Sequence, residues 1–237
     1  MKKLLYLFFI VLTVSICVTG CGKKGKEKDD NNLTGGWQIE LIKKASVIPD
    51  AAKQAFEDAV VEYDGMDFKL IALLGEQVVA GKNYMFLCEG TPVVPDAETK
   101  YVVVIVYKNI EDKSVITNVA DFDYTEYTYK ENIAASKTVV GGWYTTVPDT
   151  GVELDKDIKE AYDNAIATLE EGEVKSPTYL PIGVLGKQVV SGTNYAIIAY
   201  GTLGEKNNIY VITLYEDLDG NSEILSSATV NLADFNQ

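Results

Sequence analysis

Carboxylates are the most numerous side chains in this chain that could act as acids or bases. Aspartate and glutamate number 35, histidine is absent, and the sequence contains no arginine. Ser-His-Asp and Cys-His nucleophilic sites, His-rich zinc sites and arginine clamps for phosphoryl groups are therefore excluded. Carboxylate pairs lie in mixed stretches such as Tyr215-Glu216-Asp217-Leu218-Asp219, which are typical of a solvated turn. We expect a protein that is not an enzyme, with no catalytic residues, metal site or cofactor.

The first 21 residues have the order of an export signal. Lys2 and Lys3 precede an apolar run from Leu4 to Val14, which is too short to cross a bilayer of roughly 30 Å as a permanent helix. The following Val18-Thr19-Gly20-Cys21 resembles the lipobox of bacterial lipoproteins, which implies cleavage before Cys21 and lipid attachment to it. The alternatives are a membrane span, or an ordinary signal site beside a chance cysteine.

The segment after Cys21 and the charge of the chain indicate where the protein acts. Residues 22–34 contain almost no apolar side chains, which predicts a flexible tether. We therefore expect a lipoprotein anchored in the cell membrane on its extracytoplasmic face. The net charge of −14 makes nucleic acid an improbable partner. Only Cys88 remains in the body of the chain, so stability must come from the hydrophobic core.

The body of the chain contains an internal repeat. Four blocks recur in the same order: Gly35-Gly36-Trp37 with Gly141-Gly142-Trp143, 55–60 with 161–166, 74–84 with 185–195, and 118–122 with 231–235. This order indicates a duplicated domain. We expect one domain at 35–124, a linker at 125–140 and a second domain at 141–237.

Each repeat changes from helical to strand-like periodicity. Apolar residues three and four apart predict one helix that begins near Pro49 and Asp50, and a second with Asp155 as its N-cap. The two stripes are Ala52, Ala55, Phe56, Ala59, Val60 and Tyr63, and Ile158, Ala161, Tyr162, Ala165, Ile166 and Leu169. Apolar or alternating runs then predict four antiparallel strands, at 68–74, 84–88, 101–107 and 115–122 in the first repeat.

The helix stripe and the sheet each need a cover, so we expect an α+β fold in which the sheet wraps across the helix. Cys88 aligns with Ala199, which favours a small core position over a reactive thiol.

The hairpin between the first two predicted strands carries Gln77-Val78-Val79-Ala80-Gly81 in one repeat and Gln188-Val189-Val190-Ser191-Gly192 in the other. This pattern resembles the cystatin family, whose Gln-x-Val-x-Gly signature lies in the first hairpin of a helix-plus-meander fold. The resemblance implies two tandem cystatin-like domains, each with one helix packed on a four- to five-stranded antiparallel sheet. A simpler alternative is that Gln and Gly form a strand-turn-strand junction whose backbone requires Gly81 and Gly192.

The resemblance also implies a function. In that family an N-terminal glycine, here Gly35 or Gly36 and Gly141 or Gly142, joins this hairpin and a Pro-Trp hairpin in blocking papain-like peptidases. The matching turns, 109–113 and 216–220, contain no Pro-Trp. We therefore keep two hypotheses: a reversible inhibitor of papain-like cysteine peptidases, and a non-inhibitory extracellular module that binds a protein, peptide or glycan.

Overall fold

A computed structural model describes residues 37–39, 46–129, 152–170 and 176–236. The helices in these ranges are α1 (Asp50–Val60) and α2 (Lys156–Glu170), with 3-10 turns at Tyr124–Tyr127 and Leu232–Phe235. The strands are β1 (Trp37–Ile39), β2 (Met66–Val79), β3 (Gly81–Pro92), β4 (Lys100–Lys108), β5 (Ser114–Asp121), β6 (Thr178–Val190), β7 (Gly192–Leu203), β8 (Lys206–Glu216) and β9 (Ser222–Val230).

Both helices form where they were predicted, but α1 ends at Val60 and Tyr63 of the predicted stripe lies beyond it. The first helix begins directly after Pro49, and the second begins directly after Asp155. The buried side chains follow the predicted stripes: Ala52, Ala55, Phe56 and Ala59 in α1, and Ala161, Tyr162 and Ala165 in α2. The spacing of apolar residues was sufficient to locate these helices because helix formation depends on local periodicity.

The strands form two antiparallel sheets. The first repeat forms the sheet β2-β3-β4-β5, and the second forms β6-β7-β8-β9. The short strand β1 belongs to the first repeat by sequence but pairs with β6 of the second, with Trp37 opposite Gln188 and Ile39 opposite Gly186. The second sheet therefore has five strands in the order β1-β6-β7-β8-β9.

The two sheets share one hydrophobic core. Buried residues of both repeats, among them Ile71, Leu74, Met85, Ile182, Leu185 and Ile198, belong to a single cluster. The Tyr200 hydroxyl of the second repeat donates a hydrogen bond to the Leu73 carbonyl of the first at 3.2 Å. Each helix packs on the other face of the sheet in its own repeat.

The prediction of two tandem cystatin-like domains is therefore wrong. That prediction had each sheet cover only its own helix. In the structure each sheet has two buried faces: one packs on the helix of its own repeat, and the other packs on the other repeat. The sequence feature that indicates two buried faces is the apolar run Tyr101–Val106 in β4, which is buried at every position. A continuous apolar run of this kind is typical of a strand covered on both faces.

The strand pairing also corrects the fourth block of the repeat. Residues 118–121 end β5, whereas residues 232–235 form a 3-10 turn beyond β9. The structural counterpart of 231–235 is 123–127, which forms the same turn. Asp123 and Asn231 each cap their turn by accepting a hydrogen bond from the backbone N–H two residues on. The likeness between 118–122 and 231–235 is therefore not structural.

Several predictions fall outside the described residues. The signal and lipobox with Cys21, the tether at 22–34, and Gly35, Gly36, Gly141 and Gly142 all lie there, as does most of the linker at 125–140. Among the residues that the structure describes, no helix is both long and apolar enough to span a membrane.

Candidate functional site

The Gln-x-Val-x-Gly hairpin of each repeat lies beside the turn that joins the last two strands of the same repeat. This follows from the pairing of β3 with β4, which places Lys82 opposite Lys108, and of β7 with β8, which places Thr193 opposite Glu216. We call residues 77–81 with 109–113 rim 1, and residues 188–192 with 217–221 rim 2. Each rim consists of two adjoining hairpin tips.

The glycine that ends the motif is required by the close approach of these two tips. Gly81 and Gly192 both have φ of +126°, a conformation that side chains strongly disfavour. A Cβ atom would lie 2.4 Å from the Lys108 carbonyl oxygen at Gly81, and 2.3 Å from the Glu216 carbonyl oxygen at Gly192. The interpretation of these glycines as backbone requirements is confirmed.

The glutamine of the motif also has a structural role. The Asn83 amide donates a hydrogen bond to Gln77 Oε1 at 2.7 Å, and the Asn194 amide donates to Gln188 Oε1 at 2.9 Å. In each repeat the two residues lie opposite each other on the paired strands. The Gln and Asn of the motif thus stabilise the hairpin through a cross-strand pair.

A tyrosine that the sequence patterns did not single out ties the two tips of each rim together. The Tyr107 hydroxyl donates to the Ala80 carbonyl oxygen at 2.6 Å, and the Tyr215 hydroxyl donates to the Ser191 carbonyl oxygen at 2.6 Å. Both tyrosines lie near the end of the strand that leads into the second turn. The sequence feature that could have identified them is their recurrence at equivalent positions before the two turns.

The second turn of each rim is held by one side chain. Asn109 Oδ1 accepts hydrogen bonds from the backbone N–H groups two and four residues on, both at 2.9 Å. Asp217 Oδ1 accepts the equivalent pair at 2.9 and 2.8 Å. The hydrogen bonds from Asn221 are the largest cause of a lowered pKa of Asp217. These turns hold Ile110 and Leu218 in the solvent, each 86% exposed.

Both rims expose aliphatic side chains at equivalent positions. They are Val78, Val79 and Ile110 in rim 1, and Val189, Val190 and Leu218 in rim 2. The four valines were predicted from the motif. Ile110 and Leu218 were not, although an aliphatic residue recurs at the same place in two otherwise polar turns. They occupy the hairpin where the cystatin pattern has Pro-Trp.

The two rims differ in charge. Three lysines of rim 1 and its flanks are paired with carboxylates: Lys82 with Glu76, Lys108 with Asp112, and Lys113 with Glu111. In rim 2 the position of Lys108 is taken by Glu216. Among the described residues Asp217 and Asp219 form no ion pair. Rim 2 is therefore the more acidic of the two.

Strand β1 contributes to the surroundings of rim 2. Trp37 pairs with Gln188, the first residue of the rim 2 hairpin, and Ile39 lies farther from the tip. The repeat pattern predicted that this strand belongs to the first domain. Its backbone instead borders the motif of the second repeat.

Cys88, the cysteine in the body of the chain, lies outside both rims. Cys88 lies in the core between α1 and its sheet, and burial raises the pKa of its thiol well above the usual value. The prediction of a small core position for Cys88 is confirmed. The rims, unlike Cys88, expose apolar side chains at hairpin tips that hydrogen bonds brace.

A scan against protein-family models finds no matching family, and a search of curated proteins finds no matching relative.

Proposed function

We propose that the protein is a membrane lipoprotein of the extracytoplasmic face that inhibits papain-like cysteine peptidases reversibly through its hairpin rims. The observation that carries the proposal is the exposure of aliphatic side chains on two adjoining, braced hairpins in both repeats. The tips would enter the peptidase cleft and exclude substrate. No covalent step is needed, in keeping with a chain that lacks histidine.

The rigidity of the rims favours binding. Hydrogen bonds of the Tyr107 hydroxyl, the Asn109 side chain and the Asn83–Gln77 pair brace the two hairpins of rim 1. A pre-ordered loop loses less conformational entropy on binding than a mobile one. Exposed apolar side chains on such a loop are therefore a favourable contact surface.

The exposed area sets the expected strength of inhibition. Full burial of an aliphatic side chain of this size contributes about 1.5–3 kcal/mol. Allowing for their present partial burial, the three aliphatic side chains of one rim would contribute about 3–6 kcal/mol. A micromolar complex requires a net binding free energy of about 8 kcal/mol, so the apolar tips of one rim would not suffice alone and further contacts would also have to offset the cost of association. We expect inhibition in the micromolar range.

The membrane attachment rests on the sequence. The Val18-Thr19-Gly20-Cys21 pattern and the polar segment at 22–34 support a lipid anchor followed by a spacer. Such a spacer would let the rims reach a peptidase outside the cell. The same anchor would serve the alternative of a non-inhibitory binding module.

Titration of papain with the full-length chain in detergent tests the proposal. The double variant Val79→Asp with Val190→Asp places charge in both contacts, and we expect its affinity to fall more than about tenfold. Both valines are partly exposed, so the fold should persist. Val61→Asp is the control for an added surface charge, because Val61 is 80% exposed just beyond α1 and belongs to neither rim.

Two results would count against inhibition. Equal loss of affinity in the Val61→Asp control would show that the effect is not local to the rims. A folded chain that fails to inhibit any papain-like enzyme at about 100 µM would favour the non-inhibitory module, since such affinity is below any useful range.

A further inference from the structure

The two repeats have diverged widely on their exposed surfaces. Val61, exposed at the end of α1, corresponds to Ala167 in α2. Val115, exposed in β5, corresponds to Glu223 in β9, because each lies opposite the tyrosine that precedes the second turn. These exposed valines of the first repeat, one at the end of α1 and one beside rim 1, have no aliphatic counterpart of similar size in the second.

The connection between the middle strands has diverged further. In the first repeat residues 93–99 join β3 to β4 and expose Val93 and Val94. In the second repeat a tight turn at Gly204 and Glu205 joins β7 to β8. The exposed valines of the first connection are thus absent from the second.

The rims differ from these surfaces because their apolar exposure is retained. Val78, Val79 and Ile110 correspond to Val189, Val190 and Leu218, and all six side chains are exposed. The bracing contacts are retained as well, with tyrosine hydroxyl bonds of 2.6 Å in both rims. Ile110 and Leu218 are each 86% exposed and contribute little to folding stability, so the retention of an aliphatic residue at this place in both copies favours a role in binding.

We propose that both rims are binding sites and that one chain binds two peptidase molecules at the same time. This proposal rests on the proposed function and adds its stoichiometry. A chain with one working rim would leave the exposed tips of the other without a role. Each rim contains its own hairpin pair and its own tyrosine brace, so neither rim takes its bracing side chains from the other.

Stoichiometry in solution tests the proposal. The probe is papain with its catalytic cysteine replaced by serine, titrated into the full-length chain in detergent and followed by calorimetry and native mass spectrometry. The rim 1 variant is Val79→Asp with Ile110→Asp, and the rim 2 variant is Val190→Asp with Leu218→Asp. We expect two papain molecules per chain for the parent and for the Val61→Asp control, one for each rim variant, and none for the combined variant.

A two-layer biosensor provides a second measurement. Immobilised papain captures the chain, and papain added afterwards should bind to the captured chain through its second rim. Either rim variant should be captured normally but should bind no second layer.

Two results overturn the proposal in distinguishable ways. A parent chain that saturates at one papain molecule, with both rim variants weakened, would show that the two rims grip one partner together, and the proposed inhibition would stand. A parent chain that binds no papain in either assay would overturn both the stoichiometry and the proposed function.

Discussion

Replacing Gly81 with alanine tests the close packing of the two hairpin tips. The backbone at Gly81 has φ of +126°, and holding a residue with a side chain in such a conformation costs about 1–3 kcal/mol. The new Cβ would also lie 2.4 Å from the Lys108 carbonyl oxygen, which belongs to backbone and cannot rotate away. Overpacking of this kind costs about 1–3 kcal/mol. We expect Gly81→Ala to lower the free energy of unfolding by about 2–6 kcal/mol.

Urea unfolding followed by circular dichroism measures this loss. With a slope of about 2–3 kcal/mol/M, the midpoint should fall by about 0.7–3 M. Gly204→Ala is the control, because Gly204 has φ of +65° but no atom lies within 4 Å of the position that its Cβ would take. The control should lose only about 1–2 kcal/mol, the cost of the left-handed conformation. A Gly81→Ala midpoint no lower than that of Gly204→Ala would refute the close-approach argument.

Three further predictions concern the anchor, the shared core and the second turn. Cys21→Ala should release the protein from membranes or leave it unprocessed, and a variant that still fractionates with membrane and takes up labelled lipid would contradict the anchor. The segments 35–124 and 141–237, expressed separately, should each fail to unfold cooperatively, because separation exposes the face that the other repeat covers; a sharp thermal transition in either half would show that the shared core is dispensable. The lowered pKa of Asp217 means that its carboxylate stabilises the rim 2 turn above its unfolded pKa, and that this contribution is lost as pH falls through the folded pKa. NMR titration of Asp217 should show a pKa below the usual value, and Asn221→Ala should return it towards that value.

Local features of the chain were readable from the sequence. The stripes on α1 and α2 located both helices, since a helix buries residues three and four apart wherever its partner lies. The backbone requirement at Gly81 and Gly192 was also readable, because a glycine at a hairpin is a local conformational demand. Cys88 was placed in the core by its alignment with a small apolar residue.

Other features depended on contacts between distant parts of the chain. Periodicity shows that a strand has a buried face, but it does not show which element covers that face. The sequence therefore suggested that each sheet served only its own helix, and the structure shows Ile71 and Ile182 in one core. In the same way, no local pattern could assign β1 to the sheet of the other repeat, because any exposed strand edge offers the same backbone groups.

Some residues of each rim could be predicted from the sequence, and others were assigned only by the tertiary structure. The Gln-x-Val-x-Gly pattern identified one hairpin of each rim from sequence alone. Ile110 and Leu218 joined the site only when the pairing of β3 with β4 and of β7 with β8 placed the second turn beside it. The local sequence determines the conformation of each hairpin. Which hairpins lie beside each other depends on strand register, and register is set by pairing between strands that are distant in the sequence.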